Sequence, residues 1–253
     1  MSTTKTRLVN IFAPVIVIII LIIIWEAACN AFNISFTLLP KPTQIFGALG
    51  AHYADIIAPD MLATLQVMMA GYLIAVPLGF AIAAFSSQNR TAVRAITPVL
   101  IILMVTPMAT LVPIFKLLIG VSPSVKVLIV ILQCTPVIAV NSLSGFIHVP
   151  PAKQDLMKAL GCGKWESFFR VTAPNALPQI FTGLKLGCIL CTIAAMSADI
   201  SVGQGGLGYR IAISSSLSAT DTAFAAILIS AIIGVVLYMA VTIIEARVVT
   251  WKK

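Results

Sequence analysis

The chain has 253 residues, of which 60% are hydrophobic and only 9% charged, and its mean hydropathy is +1.07. Soluble domains carry about 25% charged residues, so a water-soluble globular enzyme is excluded and an all-α integral membrane protein is indicated. The formal net charge is +8, but the basic residues are scattered between apolar runs, which points to membrane orientation and not to nucleic acid.

Six runs approach the roughly 20 apolar residues needed to span a bilayer: 10–31, 61–85, 93–118, 125–147, 176–198 and 222–246. Lys5 and Arg7 precede the first, as in a signal peptide, and Ala27-Ala28-Cys29 has the look of a lipoprotein cleavage site. Glu26 stands where such a site wants a large aliphatic residue, and further spans follow, so an uncleaved first helix is expected. Residues 32–60 contain LLPKPTQIFGAL, where Pro40 and Pro42 stiffen an extended stretch before a short amphipathic helix. Pro98, Pro107 and Pro113 interrupt the third run, which ends near Lys116. Proline is tolerated in a span when neighbours satisfy the freed carbonyls; a kink and a pathway-lining break are both open. Residues 199–221 carry Gly203, Gly205, Gly206 and Gly208 before Tyr209, a loop suited to packing over a pore mouth or touching an external partner.

With alternating spans, Lys5, Arg7, Arg90, Arg94, Lys153, Lys158, Lys164, Arg170, Arg247, Lys252 and Lys253 fall on one side. The other side has Lys41, Arg210, Lys116 and Lys126, with Asp55, Asp60, Asp199 and Asp221. Both termini are therefore predicted to be cytoplasmic, in a multi-pass cell-membrane protein. No linker is long enough for a second folded domain, so residues 1–253 read as a single transmembrane domain.

Motifs for chemistry are lacking. Residues 203–208 fit G-x-G-x-x-G, but a dinucleotide site needs a preceding strand, and here a membrane helix precedes; the glycines serve a tight turn. Gly161-Cys162-Gly163-Lys164 faintly resembles the end of a P-loop. However, Lys158 stands where a glycine is required and Trp165 follows the lysine, so no phosphate cradle is formed and the chain is not expected to hydrolyse ATP. Cys188 and Cys191 share a helical face and read as small packing residues. The five cysteines suggest no disulfide framework, and His52 and His148 lack acidic neighbours at metal-ligand spacing. No catalytic residue, metal site or cofactor is expected in this chain. The acidic residues mostly flank spans, where interfacial anchoring is the plain reading.

The segment 151–178 is different. It is basic and aromatic, and it lies between two apolar runs. Residues 153–160 are predicted to form a short helix with Leu156, Met157 and Leu160 on one face. Gly161 and Gly163 permit a sharp turn, Trp165, Phe168 and Phe169 give a second apolar face beside Arg170, and Pro174 and Pro178 mark entry into the fifth span. Two short helices around a glycine turn can project a knob into a partner's groove; an amphipathic helix resting on lipid is the equal alternative.

This segment resembles the EAA loop of binding-protein-dependent ABC importer permeases, the type I import fold. The loop pattern is E-A-A-x-x-x-G, then an aromatic-containing stretch and L-P. Asp155 takes the Glu position, Leu156 and Met157 the Ala positions and Gly161 the glycine; Trp165, Phe168, Val171, Pro174 and Ala176-Leu177-Pro178 follow the pattern more closely. LLPKPTQIFGAL at 38–49, TLQVMMAGYLIAVPLGFAIA at 64–83 and GLGYRI at 206–211 resemble elements of the nitrate, sulfonate, taurine and bicarbonate branch. The resemblance implies two permease subunits, by default a homodimer, and separate ABC ATPase subunits that bind ATP and Mg and grip the EAA loops. It also implies an external solute-binding protein and transport by alternating access.

Asp155, Lys158, Gly161, Lys164, Trp165 and Phe168 are thus the expected ATPase-coupling residues. The polar residues within spans, Gln66, Thr106, Gln133, Asn141 and Ser144, are the candidates for the translocation pathway, although such side chains often only bond to neighbouring helices. Lys185 is expected to snorkel to the cytoplasmic interface, with attraction of an anion as the other reading. An ion-coupled secondary transporter would show ionisable residues deep in its spans, whereas here they cluster near the ends. A scaffold without transport would not need the outer loops. The resembled branch carries small organic or inorganic anions and some vitamin precursors.

Overall fold

The computed structural model describes residues 3–251, with side chains from residue 13 onward except those of Pro14 and Lys158. The side chains of Lys5, Arg7, Lys158, Lys252 and Lys253 therefore lie outside the described residues. All regular structure among the described residues is helical: α1 Thr3–Ala31, α2 Pro42–His52, α3 Ala58–Ser87, α4 Arg90–Val105, α5 Val112–Ile119, α6 Pro123–Ile147, α7 Pro151–Ala159, α8 Lys164–Ser167, α9 Ala173–Val202, α10 Leu207–Ser216 and α11 Thr220–Val248. Among the described residues, four helical runs are long and apolar enough to cross a membrane, namely Pro42–Ser87, Pro123–Ile147, Lys164–Val202 and Thr220–Val248. The α4–α5 pair adds a fifth if it is counted as one span, and α1 contributes the apolar stretch Val15–Ala31.

Proline placement accounts for the irregularities. Lys41 is extended (φ −71°, ψ 148°), Pro42 opens α2, and the Lys41 amide donates to Gln44 Oε1 at 2.9 Å. This matches the stiff entry expected at Pro40 and Pro42. The sequence places a loop from 32 to 60, but α2 runs into α3 through the π-helical turn Tyr53–Ile57. A second π-helical turn, Phe168–Thr172, joins α8 to α9. Each turn ends two residues before a proline, Pro59 and Pro174. Proline offers no N–H to the carbonyl four residues back, and the wider i→i+5 turn lets the chain pass that gap without breaking.

The third run is resolved differently. It is not one straight helix between 93 and 118: α4 and the segment Met108–Ile119 meet at 80°. Pro107 keeps Thr106 out of the helical region (ψ 122°), and a 3₁₀ turn over Met108–Leu111 starts the second piece.

The core is a three-helix seam of α3, α6 and α9. Gly71, Ala75, Gly79 and Ala83 recur every fourth residue on α3 and are all buried. An added Cβ at Gly71 would lie 2.6 Å from Val130 Cβ, and one at Gly79 would lie 2.9 Å from Thr135 O. On α9, Gly183 faces Asn141 and Ile138, while Gly187 faces Tyr72 and Ile138. Lipid tails are as apolar as the helix surfaces, so small residues drive association by letting backbones approach. Cys134 and Cys191 are buried in this seam, each thiol 3.4 Å from a carbonyl of a neighbouring helix, Gly187 O and Met68 O. Cys188 is buried as well, so all three pack as small core residues.

Candidate functional site

The segment 151–178 is built around one turn. Helix α7 ends in a Schellman motif: Cys162 N–H donates to Met157 O at 3.0 Å, and Gly161 adopts φ +71°. A left-handed residue at this position favours glycine, which is why the sequence can reverse direction here within three residues. Gly163 then precedes α8 and accepts from Ser167 N–H at 2.9 Å.

The two predicted apolar faces are each divided. Leu156 and Leu160 are exposed, whereas Met157 is buried, so only one residue of the expected face is turned inward. Trp165 and Phe169 are exposed and stacked, centroids 6.2 Å apart, while Phe168 is only 2% exposed. Phe168 lies 4.9 Å from Phe146 of α6, which meets Phe80 of α3 at 5.6 Å; Trp165 meets Phe85 of α3 at 5.6 Å. Met157, Cys162, Lys164, Ser167 and Phe168 line a 390 Å³ cavity against the end of α3. Lys153 Nζ donates to Asn175 Oδ1 at 2.8 Å, tying α7 to α9. One set of residues thus holds the segment to α3, α6 and α9, and another set is left outward. Asp155, Gly161 and Lys164 lie on the outward side.

The pathway candidates are not brought to one place. Gln66 is exposed on α3, and Gln133, Asn141 and Ser144 are half-buried along α6, spread over about 17 Å at 1.5 Å per residue. Thr106 Oγ1 donates to Ile102 O and Asn141 Nδ2 to Val137 O, both at 2.8 Å. These two satisfy carbonyls of their own helices. The Lys185 ammonium pairs with Glu245 near the C-terminal end of α11, and both side chains are mostly buried.

At the opposite end the structure assembles a cluster that the linear pattern conceals. Lys126 Nζ donates three bonds of 2.8 Å, to Asp199 Oδ1 and to the carbonyls of Gln204 and Gly205. Thr64 Oγ1 donates to Asp199 Oδ2 at 2.6 Å and accepts from Leu207 N–H at 2.8 Å. Asp60 Oδ1 accepts from Gly206 N–H at 2.9 Å, and its Oδ2 accepts from Arg210 Nε at 2.7 Å. The side chains of Lys126 and Asp199 are 3% and 0% exposed. Asp60, Asp199 and Lys126 are therefore buried partners and not interfacial anchors. An ammonium carries three donors, all used here, which meets the requirement that a buried charge be paired and bonded. The glycine loop is shaped to the cluster: Gly206 has φ +102°, and a side chain there would run into the Asp199 carboxylate. Lys116 of α5 completes the arrangement by donating to Ser201 O at 3.0 Å at the C-terminal end of α9.

Residues 75–250 match the family described as binding-protein-dependent transport system inner membrane component. The formylaminopyrimidine transport permease protein ThiX of Halalkalibacterium halodurans is 27% identical over 95% of this chain and 96% of its own length. The nitrate import permease protein NrtB of a Synechocystis species is 25% identical over 95% of this chain and 90% of its own. Among solved structures, an amino acid ABC transporter crystallised with histidines superposes with a TM-score of 0.64 at 15% identity, covering 78% of this chain and 96% of that one. The chain belongs to the binding-protein-dependent inner membrane component family, and it is a multi-pass permease subunit of an ABC importer for a small solute, in the branch that includes the nitrate permeases.

Proposed function

We propose that this chain lines the solute pathway of an ATP-driven importer by alternating access, and that the 151–178 segment is where a separate ATPase, with its ATP and Mg, takes hold. The observation that carries this is the division of the segment. Met157 and Phe168 are buried in the helical seam, while Leu156, Leu160, Trp165 and Phe169 stay exposed beside Lys164. Exposed apolar anchors rimmed by charge are the composition of a protein interface. Asp155, Lys158, Gly161, Lys164 and Trp165 are assigned to the contact or its turn, and Phe168 to anchoring it. The whole chain acts as one transmembrane domain of six spans, counting α1 and the bent α4–α5 pair. Both termini are cytoplasmic, with the glycine loop outside, in line with the basic residues on the docking side.

A second copy of the chain completes the pathway, and an external binding protein delivers the solute to the outer face. The relatives' names favour a small anion or a vitamin precursor as solute. Gln66, Thr106, Gln133, Asn141 and Ser144 are assigned to the pathway, with Gln66 the first to test because its side chain is exposed on α3.

Photo-crosslinking amino acids at positions 165 and 204 in native-host membranes test the assignment. Position 165 is expected to trap a P-loop ATPase, and position 204 an exported solute-binding protein. Trapping of lipid alone at position 165 would overturn the docking reading and favour an interfacial helix.

A further inference from the structure

The helical run Lys164–Val202 is continuous over 39 residues, about 57 Å at 1.5 Å per residue. Trp165 stands at its first turn and Asp199 at its last. At the docking end, Phe168 joins it to Phe146 of α6 and, through Phe146, to Phe80 of α3. At the far end, Asp199 joins it to Lys126 of α6 and Thr64 of α3. The same three helices are thus tied together at both ends, with a seam of small residues between.

The far-end tie also captures the glycine loop. Lys126 spends two of its three donors on the Gln204 and Gly205 carbonyls, and Asp60 holds Gly206 N–H and Arg210 together. With those donors occupied by the protein itself, Lys126 has none to offer a solute. The cluster has the chemistry of a joint: a buried ion pair whose replacement by apolar residues often costs little stability, and whose best-attested use is fixing one register. By contrast, the most apolar stretch of α11 has no buried residue, and α5 leaves Leu117 and Leu118 exposed.

We propose that the α3–α6–α9 seam carries a joint for the glycine loop. Lys126 and Asp199, supported by Asp60 and Arg210, are the positioning residues that lock residues 203–208 to its far end. This inference rests on the importer reading above.

The test uses the complex in nanodiscs, with Cys162 replaced by Ser and spin labels at Arg170→Cys and Gln204→Cys, both exposed positions. The label separation is measured without nucleotide and with ATP trapped by vanadate. The expected result is one narrow distribution whose mean shifts by less than about 2 Å, the scale of small helix shifts. The pair Lys126→Met with Asp199→Leu removes both charges and strands neither. It is expected to broaden the distribution at the loop end while leaving ATP hydrolysis without binding protein unchanged. Equal loss of hydrolysis and of loop order would mean a merely structural role and would overturn the proposal. So would an ATP-driven change of a full helical turn, about 5 Å, in the unmodified joint, or a narrow distribution in the double variant. If no ATPase accompanies the chain, the importer reading fails, and the nucleotide-free distributions of the two proteins still decide whether the joint exists.

Discussion

The two ends of this molecule solve opposite problems with the same helices. The end proposed for docking exposes aromatic and aliphatic side chains on a turn of contiguous residues, 155–169. The far end hides charge, gathering residues 60, 64, 126, 199, 206 and 210 from across the chain into one largely buried cluster. The exposed turn lies within contiguous residues, so it is readable as a motif. A buried joint has to link distant elements, so it is dispersed in the sequence. The difference predicts that substitutions at the far end act first on the fold of the permease, and that those at the exposed docking positions act first on its partner.

The largest effect is expected from Lys126→Ala, which leaves Asp199 buried and unpaired. Breaking a buried pair from one side costs about 3–5 kcal/mol, seen as a lower melting temperature of the purified chain. Lys126→Met with Asp199→Leu should recover much of that loss; a double variant as unstable as the single one would break the comparison.

Within the docking end the same contrast recurs between neighbours. Phe168→Ala empties a core site, for which about 3–5 kcal/mol is typical, and is expected to reduce the amount of folded permease. Trp165→Ala, at a residue 46% exposed that also meets Phe85 and Phe168, should lose only its ring contacts, about 0.5–1.5 kcal/mol, yet weaken capture of the ATPase. Thermal melts and pull-downs on the two variants check the pair; like behaviour in both assays would erase the division between anchor and contact.

Smaller effects sharpen the picture. Nothing lies within 4 Å of an added Cβ at Gly161, so Gly161→Ala meets only the cost of φ +71°, about 1–2 kcal/mol. Its thermal melt should sit between those of Phe168→Ala and Trp165→Ala. The Arg170–Glu166 pair, at 3.1 Å and largely exposed, is worth about 0.3–0.5 kcal/mol as an i,i+4 contact. Arg170→Ala is expected to leave the melting temperature nearly unmoved.

How much could be read in advance follows the same division. The apolar runs, the stiff entry at Pro42 and the glycine turn at 161 were legible because each depends on residues close in sequence. The π-helical turns were less so: Pro59 and Pro174 signal a break, and only packing decides that the helix passes through. The split of Leu156 from Met157 and the burial of Phe168 both depend on residues of other helices, among them Ser87, Phe146 and Phe80. The joint was hidden because Asp60, Lys126 and Asp199 each sit near a span end, where a charge is ordinarily an interfacial anchor. A lysine and an aspartate at matching depth on neighbouring spans were the available signal. Lys185 and Glu245 carry the same signal at the other end.

The most direct test of the central claim is purification of the chain and its Gly161→Pro variant from the native host in mild detergent, with mass spectrometry of what accompanies each. Proline fixes φ near −65°, which the turn at +71° cannot accept, so the variant should insert but dock poorly. The account predicts a stoichiometric P-loop ATPase with the unmodified chain and its loss from the variant. A chain that comes out alone yet still takes up solute in proteoliposomes would contradict it and make an ion-coupled transporter the better reading.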